Sequence, residues 1–456
     1  MLLARLLARA DFGVAATFGM VLTILEFSSK MAIGRFLVQD KEGDSPRFMA
    51  TAHTVQLVGG LAGAMLILLA AAPLAALFGL KGDARPFQLL ALLPLLKGLE
   101  HLDVCRMERE FRYFPSTIST AAPQLLITLM AWPMAVWLPD YRAVLALLVL
   151  KAICTTITSH LMAGRSYELG LDREIAFRVL RFGWPLVANG FLMFGVFQGD
   201  QFIVASYYSM TDLAAFAAAG ALATVPSFIF ARIFPSLMLP LMAKIQDDAP
   251  QFRERYRMVV EGVCGFAVLY GVTLILGAEA FMRIAFGSQY CGTGHLLAWL
   301  AVANALRIIR FAPSVAALAK ADSQNQMYSN FWRVSVLLLA LVLAQAKQPV
   351  WMIAAMGAAG EVLASAVSFI RLSRRDSVPW TWSLFPASLG MLMIGFAGLA
   401  AWLGFHRLNP VIVLTVAVLS GVLCSLLHIT AMPESRRQAW KVVDELRTGN
   451  WRLWFP

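Results

Sequence analysis

Residues 10–19, ADFGVAATFG, open an apolar span, and residues 211–220, TDLAAFAAAG, open another 201 residues later. A complete apolar helix, near 185–207, precedes the second. Only MLLARLLAR, residues 1–9, precedes the first, and it reads as the last turns of such a helix. The pairing predicts an internal repeat of helical halves, a hallmark of membrane transporters, with its first helix missing. A translation start assigned too late would account for that shortfall, as would a real truncation.

Composition supports a membrane setting. Of 456 residues, 59% are hydrophobic and 14% charged, and the mean hydropathy is +0.69. A soluble domain carries about 25% charged residues. In hydrocarbon each backbone polar group must find its partner within the structure, so helices are expected, and the alternating strands of an outer-membrane barrel are absent from the pattern. Thirteen spans are predicted, near 12–28, 54–79, 86–104, 116–137, 143–163, 185–207, 212–241, 256–279, 293–319, 327–345, 349–370, 382–404 and 410–430. The longest polar stretches, around 29–50 and 164–183, are too short for a catalytic domain.

With loops assigned alternately to two sides, one side holds 24 Lys and Arg and the other 8. By the positive-inside rule the richer side, with the C-terminus, is cytoplasmic, and the present N-terminus falls outside. One more N-terminal helix would make fourteen. This bias explains most of the net charge of +11 and leaves no basic soluble surface for nucleic acid. Six cations remain inside spans: Lys97, Lys151, Arg232, Arg307, Arg310 and Arg333. Such charges are costly and face a partner or a water-filled cavity.

Other chemistry finds little support. The five cysteines show no CxxC, His101, His160, His295, His406 and His428 stand apart, and there is no P-loop, so no cofactor, metal site or ATP hydrolysis is expected. GGLAG at 59–63 and GAAG at 357–360 read as places where helices approach closely.

Several segments carry a resemblance. ARLLARADFG (4–13), EFSSKMAIGRFLVQ (26–39), MEREFRY (107–113), RFGWPLVANGFLMFGVFQGDQFIVASYYSMTDLAAFAAA (181–219) and FPSLMLPLMAKIQDD (234–248) resemble, in order and spacing, bacterial oligosaccharide flippases. These form the polysaccharide-transporter branch of the MOP exporter superfamily. The resemblance covers most of 1–375 and implies an all-α integral membrane protein. About thirteen transmembrane helices would form two pseudo-repeated bundles around a central cavity, plus two extra C-terminal helices. The expected divisions are 1–165, 166–375, 376–432 for the added helices, and a cytoplasmic amphipathic tail at 433–456. The implied substrate is an undecaprenyl-pyrophosphate-linked oligosaccharide, flipped across the inner membrane by alternating access for exopolysaccharide or O-antigen production. The protein would be a monomer among membrane lipids, with a polysaccharide polymerase and glycosyltransferases as partners.

Pyrophosphate in a low-dielectric cavity needs fixed cations, and Arg offers planar bidentate recognition. The cavity is therefore expected to use Arg307, Arg310, Arg232, Lys151 and Lys97, with Pro235 and Pro313 marking broken helices. Against this, Arg307 and Arg310 could form structural pairs with Glu361 or Asp200, and Arg232 could snorkel. Lys97, Glu100 and Asp103 could satisfy one another, Arg333 is expected to snorkel, and Glu26 and Lys30 to pair locally. Asp200 either couples to an ion or hydrogen-bonds a neighbouring helix. Three alternatives stand beside the flippase: a lipid II flippase, a multidrug exporter, disfavoured by the intramembrane cations, and a membrane glycosyltransferase or polymerase, disfavoured by the short loops and absent acid-base constellation.

Overall fold

The computed structural model describes residues 2–29, 33–40, 42–80, 83–376, 378–403 and 409–437. Among these the regular structure is helical throughout. The chain divides into two compact units, Met1–Ala214 and Ala215–Pro456. The first holds α1 (Leu2–Leu6), α2 (Arg9–Ser29), α3 (Ile33–Gln39), α4 (Pro46–Leu77), α5 (Arg85–Leu90), α6 (Leu92–Gly98), α7 (Asp103–Arg109), α8 (Phe114–Trp137), α9 (Arg142–Met162) and α10 (Arg173–Tyr207). The second holds nearly all of α11 (Met210–Ala243), then α12 (Ala249–Leu276), α13 (Ala278–Phe286), α14 (Gly294–Ala319) and α15 (Gln324–Ser335). It ends with α16 (Leu337–Gln345), α17 (Val350–Asp376), α18 (Thr381–Trp402) and α19 (Pro410–Ala431).

Ten described helices, counting α15 and α16 as one, are long and apolar enough to cross a membrane. The helices α2 and α10 and the α5–α6 pair occupy the other three predicted spans. Ends are set by local chemistry. Ser45, Asp172, Asp248 and Asn409 each precede a helix and accept a first-turn backbone N–H, and Pro46, Pro250 and Pro410 lie in first turns, where a missing N–H costs nothing. Pro235 and Pro313 do not break their helices, contrary to expectation. Both α11 and α14 run through them, and beside Pro313 the Ser314 hydroxyl donates to the Arg310 carbonyl at 2.9 Å.

The unit boundary lies after Ala214, later than the sequence division at 165/166. The reason is visible in α10, the first helix of the second repeat, which packs along α2. Its N-terminal end is stitched to residues 40–54 of the first unit. Asp172 pairs with Arg47, Arg178 with Asp40 and Glu42, and Thr54 donates to the Gly170 carbonyl at 2.7 Å.

In the second unit the core is centred on α12, whose Val260, Cys264, Ala267, Val268 and Ile275 are buried. The uncharged α18 and α19 pack on it through apolar side chains such as Ile394 and Ala397, with a few polar contacts to it and to each other. Tyr256 Oη lies 2.6 Å from Ser383 Oγ, Ser425 Oγ donates to the Gly265 carbonyl, and His428 Nε2 donates to the Pro386 carbonyl. Their outer faces, including Leu392, Phe396, Leu419 and Leu423, stay exposed, as expected of peripheral lipid-facing helices. The tail from residue 438, with Lys30, Lys41, Lys81 and Arg407, lies outside the described residues, as does the side chain of Glu26.

In GGLAG a close approach falls at Gly60. A methyl on Gly60 would lie 2.6 Å from the Pro94 carbonyl oxygen and 2.8 Å from Gly98 Cα on α6, whereas Gly59 faces open space. Gly60→Val is expected to destabilise the protein by about 1–3 kcal/mol, read as a lower unfolding temperature in detergent. Gly59→Val should leave that temperature unchanged; equal effects would refute the close-approach reading.

Candidate functional site

Arg307 and Arg310 stand three residues apart on α14, so both point to one side of the helix. That side packs on α17, where Glu361 is fully buried. Arg307 Nη2 and Nε approach Glu361 Oε1 at 2.8 and 2.9 Å, and Arg310 Nη2 lies 3.2 Å from Oε2. A third cation completes the cluster. Arg333 on α15 places Nε 3.3 Å from Oε1 and is buried, not snorkelling as the sequence suggested. Gly360 permits this, since a methyl there would lie 2.9 Å from Arg333 Cδ and 3.1 Å from its carbonyl oxygen.

Two asparagines supply further acceptors. Asn330 Oδ1 accepts from Arg310 Nη1 at 3.1 Å, and Asn304 Oδ1 accepts from Arg307 Nη1 at 3.4 Å. Asn304 is itself held by Ser227 Oγ and by its own bond to the Leu300 carbonyl. Arg310 Nε is buried without a hydrogen-bond partner among the described residues. Among the described ion pairs, three guanidiniums share this one carboxylate in a poorly solvated interior. Mutual repulsion and desolvation both act against that arrangement, at several kcal/mol per ion. An anion would relieve both. Arg307, with 12% of its side chain accessible, is the most exposed of the three; Arg333 retains 2%.

The other predicted site residues lie elsewhere. Arg232 is exposed on α11 and Lys151 half-buried on α9; neither forms an ion pair with a described residue. Lys97 ends α6, and its carbonyl accepts from Gln56 Nε2 at 2.9 Å. Asp200 is half-buried on α10, and Glu361 is a counter-ion of both Arg307 and Arg310.

The first unit holds two polar clusters that the sequence did not announce. Asp103, expected to face Lys97, is instead taken by Arg106 at 2.5 Å and by the Gly164 N–H at 2.7 Å. Arg106 extends the network to Glu110 and to Asp44, which also receives Arg165. At its edge the N–H groups of Ile175 and Glu174 hold the Asp172 carboxyl below its usual range. Beside the network, His53, His101 and His160, far apart in sequence, gather around Tyr167 with ring centroids 4.3–5.6 Å from it.

Comparison with known proteins places this geometry in a family. The sequence profile of polysaccharide biosynthesis proteins matches residues 2–293. The chain belongs to that family. It is 23% identical over 315 residues to the succinoglycan biosynthesis transport protein ExoT of Rhizobium meliloti, covering 67% of this chain and 62% of that protein. It is 24% identical over 216 residues to the lipopolysaccharide biosynthesis protein WzxC of Escherichia coli, covering 46% and 42%. The matches thus span less than two thirds of either relative's own length. Among solved structures it is similar to the lipid II flippase MurJ in an inward closed conformation, with a TM-score of 0.71, 12% identity, and coverage of 93% of this chain and 91% of that one. It is also similar to an inward-facing multidrug resistance MATE transporter of the MOP superfamily, with a TM-score of 0.63, 14% identity, and coverage of 82% and 92%. At these identities the likeness is one of fold. The protein is thus a member of the polysaccharide biosynthesis family whose described residues form an all-helical fold, with ten helices long and apolar enough to cross a membrane.

The arginine cluster depends on its one carboxylate. Glu361→Ala is expected to destabilise the protein by about 3–5 kcal/mol, because three arginines lose the carboxylate they share. The measurement is folded yield and unfolding temperature in detergent. An unchanged unfolding temperature would show that the cluster is hydrated and needs no internal anion.

Proposed function

We propose that the protein flips undecaprenyl-pyrophosphate-linked oligosaccharides across the bacterial inner membrane, by alternating access, for exopolysaccharide or O-antigen production. The observation that carries this reading is the stoichiometry at Glu361: three arginines to one carboxylate. A pyrophosphate diester carries two negative charges, which suit a cluster of three guanidiniums gathered on a single carboxylate. Its oxygens suit the paired N–H groups of guanidinium better than a lysine would. Arg307, the most accessible member, makes first contact, and Arg310 and Arg333 share the charge behind it. In the absence of substrate, Glu361 keeps the three arginines together. Transport requires release as well as binding, and an internal carboxylate that competes for the same donors keeps affinity moderate.

The names of the relatives support the cargo class, since one is a succinoglycan transport protein and the other a lipopolysaccharide biosynthesis protein. The excess of cations on one set of loops supports an inner-membrane orientation with the C-terminus in the cytoplasm. Arg232, Lys151 and Lys97 are assigned as secondary cationic contacts along the substrate path, and Asp200 as a structural or ion-coupling group. The reading includes no catalytic step. It includes a monomer working beside a polymerase and glycosyltransferases. A multidrug exporter is a poorer fit, because cationic drugs would meet a site of the same sign.

The test is Arg307→Gln with Arg310→Gln, and Arg307→Gln alone as the milder variant. Both leave Glu361 at least one arginine, so membrane abundance by immunoblot should stay normal. Surface polysaccharide should fall at least tenfold in the double variant, as two charge-assisted contacts are lost, and lipid-linked oligosaccharide should accumulate inside. Undiminished export at normal abundance would overturn the proposal.

A further inference from the structure

A second cationic feature lies near the far end of α17. Its residue 374 is thirteen positions beyond Glu361, about 20 Å along the helix at 1.5 Å per residue, so this is a different place. There Tyr328, Val367, Ile370, Arg371, Arg374 and Arg375 line an open groove of about 430 Å³. Asp322, in the turn between α14 and α15, organises it. Its buried carboxylate accepts from Arg371 Nε and Nη2 at 2.9 and 3.1 Å and lies 3.1 Å from Arg375 Nη1. The Arg371 guanidinium holds the Asp322 carboxyl below its usual range, and its Nη2 also donates to Gln324 Oε1. Arg371 further stacks on the Tyr328 ring at 4.8 Å. Arg374 is exposed and forms no ion pair with a described residue. The next carboxylate, Asp376, has Lys320 and Arg375 as its neighbouring cations. The groove thus has more cations than its own carboxylate neutralises.

The lower half of the groove is apolar and continues into exposed hydrocarbon-compatible surface. On α17, Val362, Ala366 and Ile370 follow at helical spacing below Arg374, with Val362 and Ile370 about half exposed. On α15, Tyr328 and Phe331 lead to Leu338 and Leu339 of α16, and all four are exposed. Aromatic residues beside cations at a span end mark the level of membrane headgroups. A ligand matching both halves is anionic at one end and carries hydrocarbon at the other.

We propose that this groove binds an anionic glycerophospholipid, with the phosphodiester on Arg374 and Arg375 and an acyl chain along Ile370, Val362 and Phe331. Asp322 and Tyr328 hold Arg371 in place as the rear wall; Arg375, about half exposed, shares Asp322 through one Nη and turns its remaining N–H groups, with Arg374, to the headgroup. The site rests on the membrane-spanning fold and on no particular transported glycan.

Titration of the purified full-length protein with fluorescent phosphatidylglycerol and phosphatidylcholine tests it. Phosphatidylglycerol should bind at least about tenfold more tightly, since each arginine near a lipid surface favours an anionic headgroup substantially. Arg374→Gln with Arg375→Gln should abolish the preference while the unfolding temperature holds, because Arg371 still neutralises Asp322. The Arg307→Gln, Arg310→Gln variant should bind phosphatidylglycerol like the unaltered protein, which separates this site from the transport reading. Equal affinity for the two lipids, unaltered preference in the Arg374/Arg375 variant, or displacement by millimolar inorganic phosphate would each overturn the proposal, the last by making it a site for free anions.

Discussion

A charge inside a membrane span has no bulk water to retreat to, and in this protein that constraint meets at Glu361. One carboxylate on α17 holds arginines from α14 and α15, so three helices share a single ionic anchor. Apolar packing alone tolerates small rotations and slides of a helix. A carboxylate contacted from two helices does not, because a shift of one residue would remove an arginine from reach and leave it buried without a partner. The small residues around it follow from the same demand. Gly360 must lack a side chain for Arg333 to arrive, and Asn304 and Asn330 must present acceptors where apolar residues would otherwise fill space.

The first unit meets its charges differently. Its hub, Arg106, serves Asp103, Glu110 and Asp44, and the adjoining loop charges on Asp40, Glu42 and Arg178 are partly exposed. Carboxylates are as plentiful as cations there, and solvent screens what remains. Such a network ties loops to helices, at modest energy per pair. Among the described ion pairs it leaves no surplus of one sign for a ligand to cancel. The two clusters use the same residue types, and the ratio of signs together with burial separates a fastening from a binding site.

How much of this was legible in the sequence follows from the range of each interaction. Hydropathy and loop charge are local sums, so every one of the thirteen predicted spans coincides with helix among the described residues. Helical spacing put Arg307 and Arg310 on one face, and Glu361 was among their two candidate partners. Arg333 was misread because its position near a span end suggested an escape to water; the packing of α15 on α17 closes that route. The gathering of His53, His101 and His160 joins residues from α4, the turn after α6 and α9, and no periodicity records such a meeting. The contact units divide at a different place from the expected segments for a related reason. A sequence repeat reports ancestry of segments, whereas compactness reports contact, and α10 starts the second repeat while packing on the first unit.

The opening pair of motifs acquires a structural sense from that last point. ADFGVAATFG lies at the start of α2, and TDLAAFAAAG at the start of α11. Within the first unit these starts meet: Arg9 Nε donates to the Thr211 carbonyl at 2.9 Å, and a methyl on Gly13 would strike the Met210 carbonyl. Glycine is required in the first motif because the backbone of the second segment passes directly against it. An alanine or larger residue at position 13 would have to push the α10–α11 junction away from α2. The two matching motifs therefore do more than recur in sequence, since their beginnings are packed against each other and each constrains which residues the other can carry.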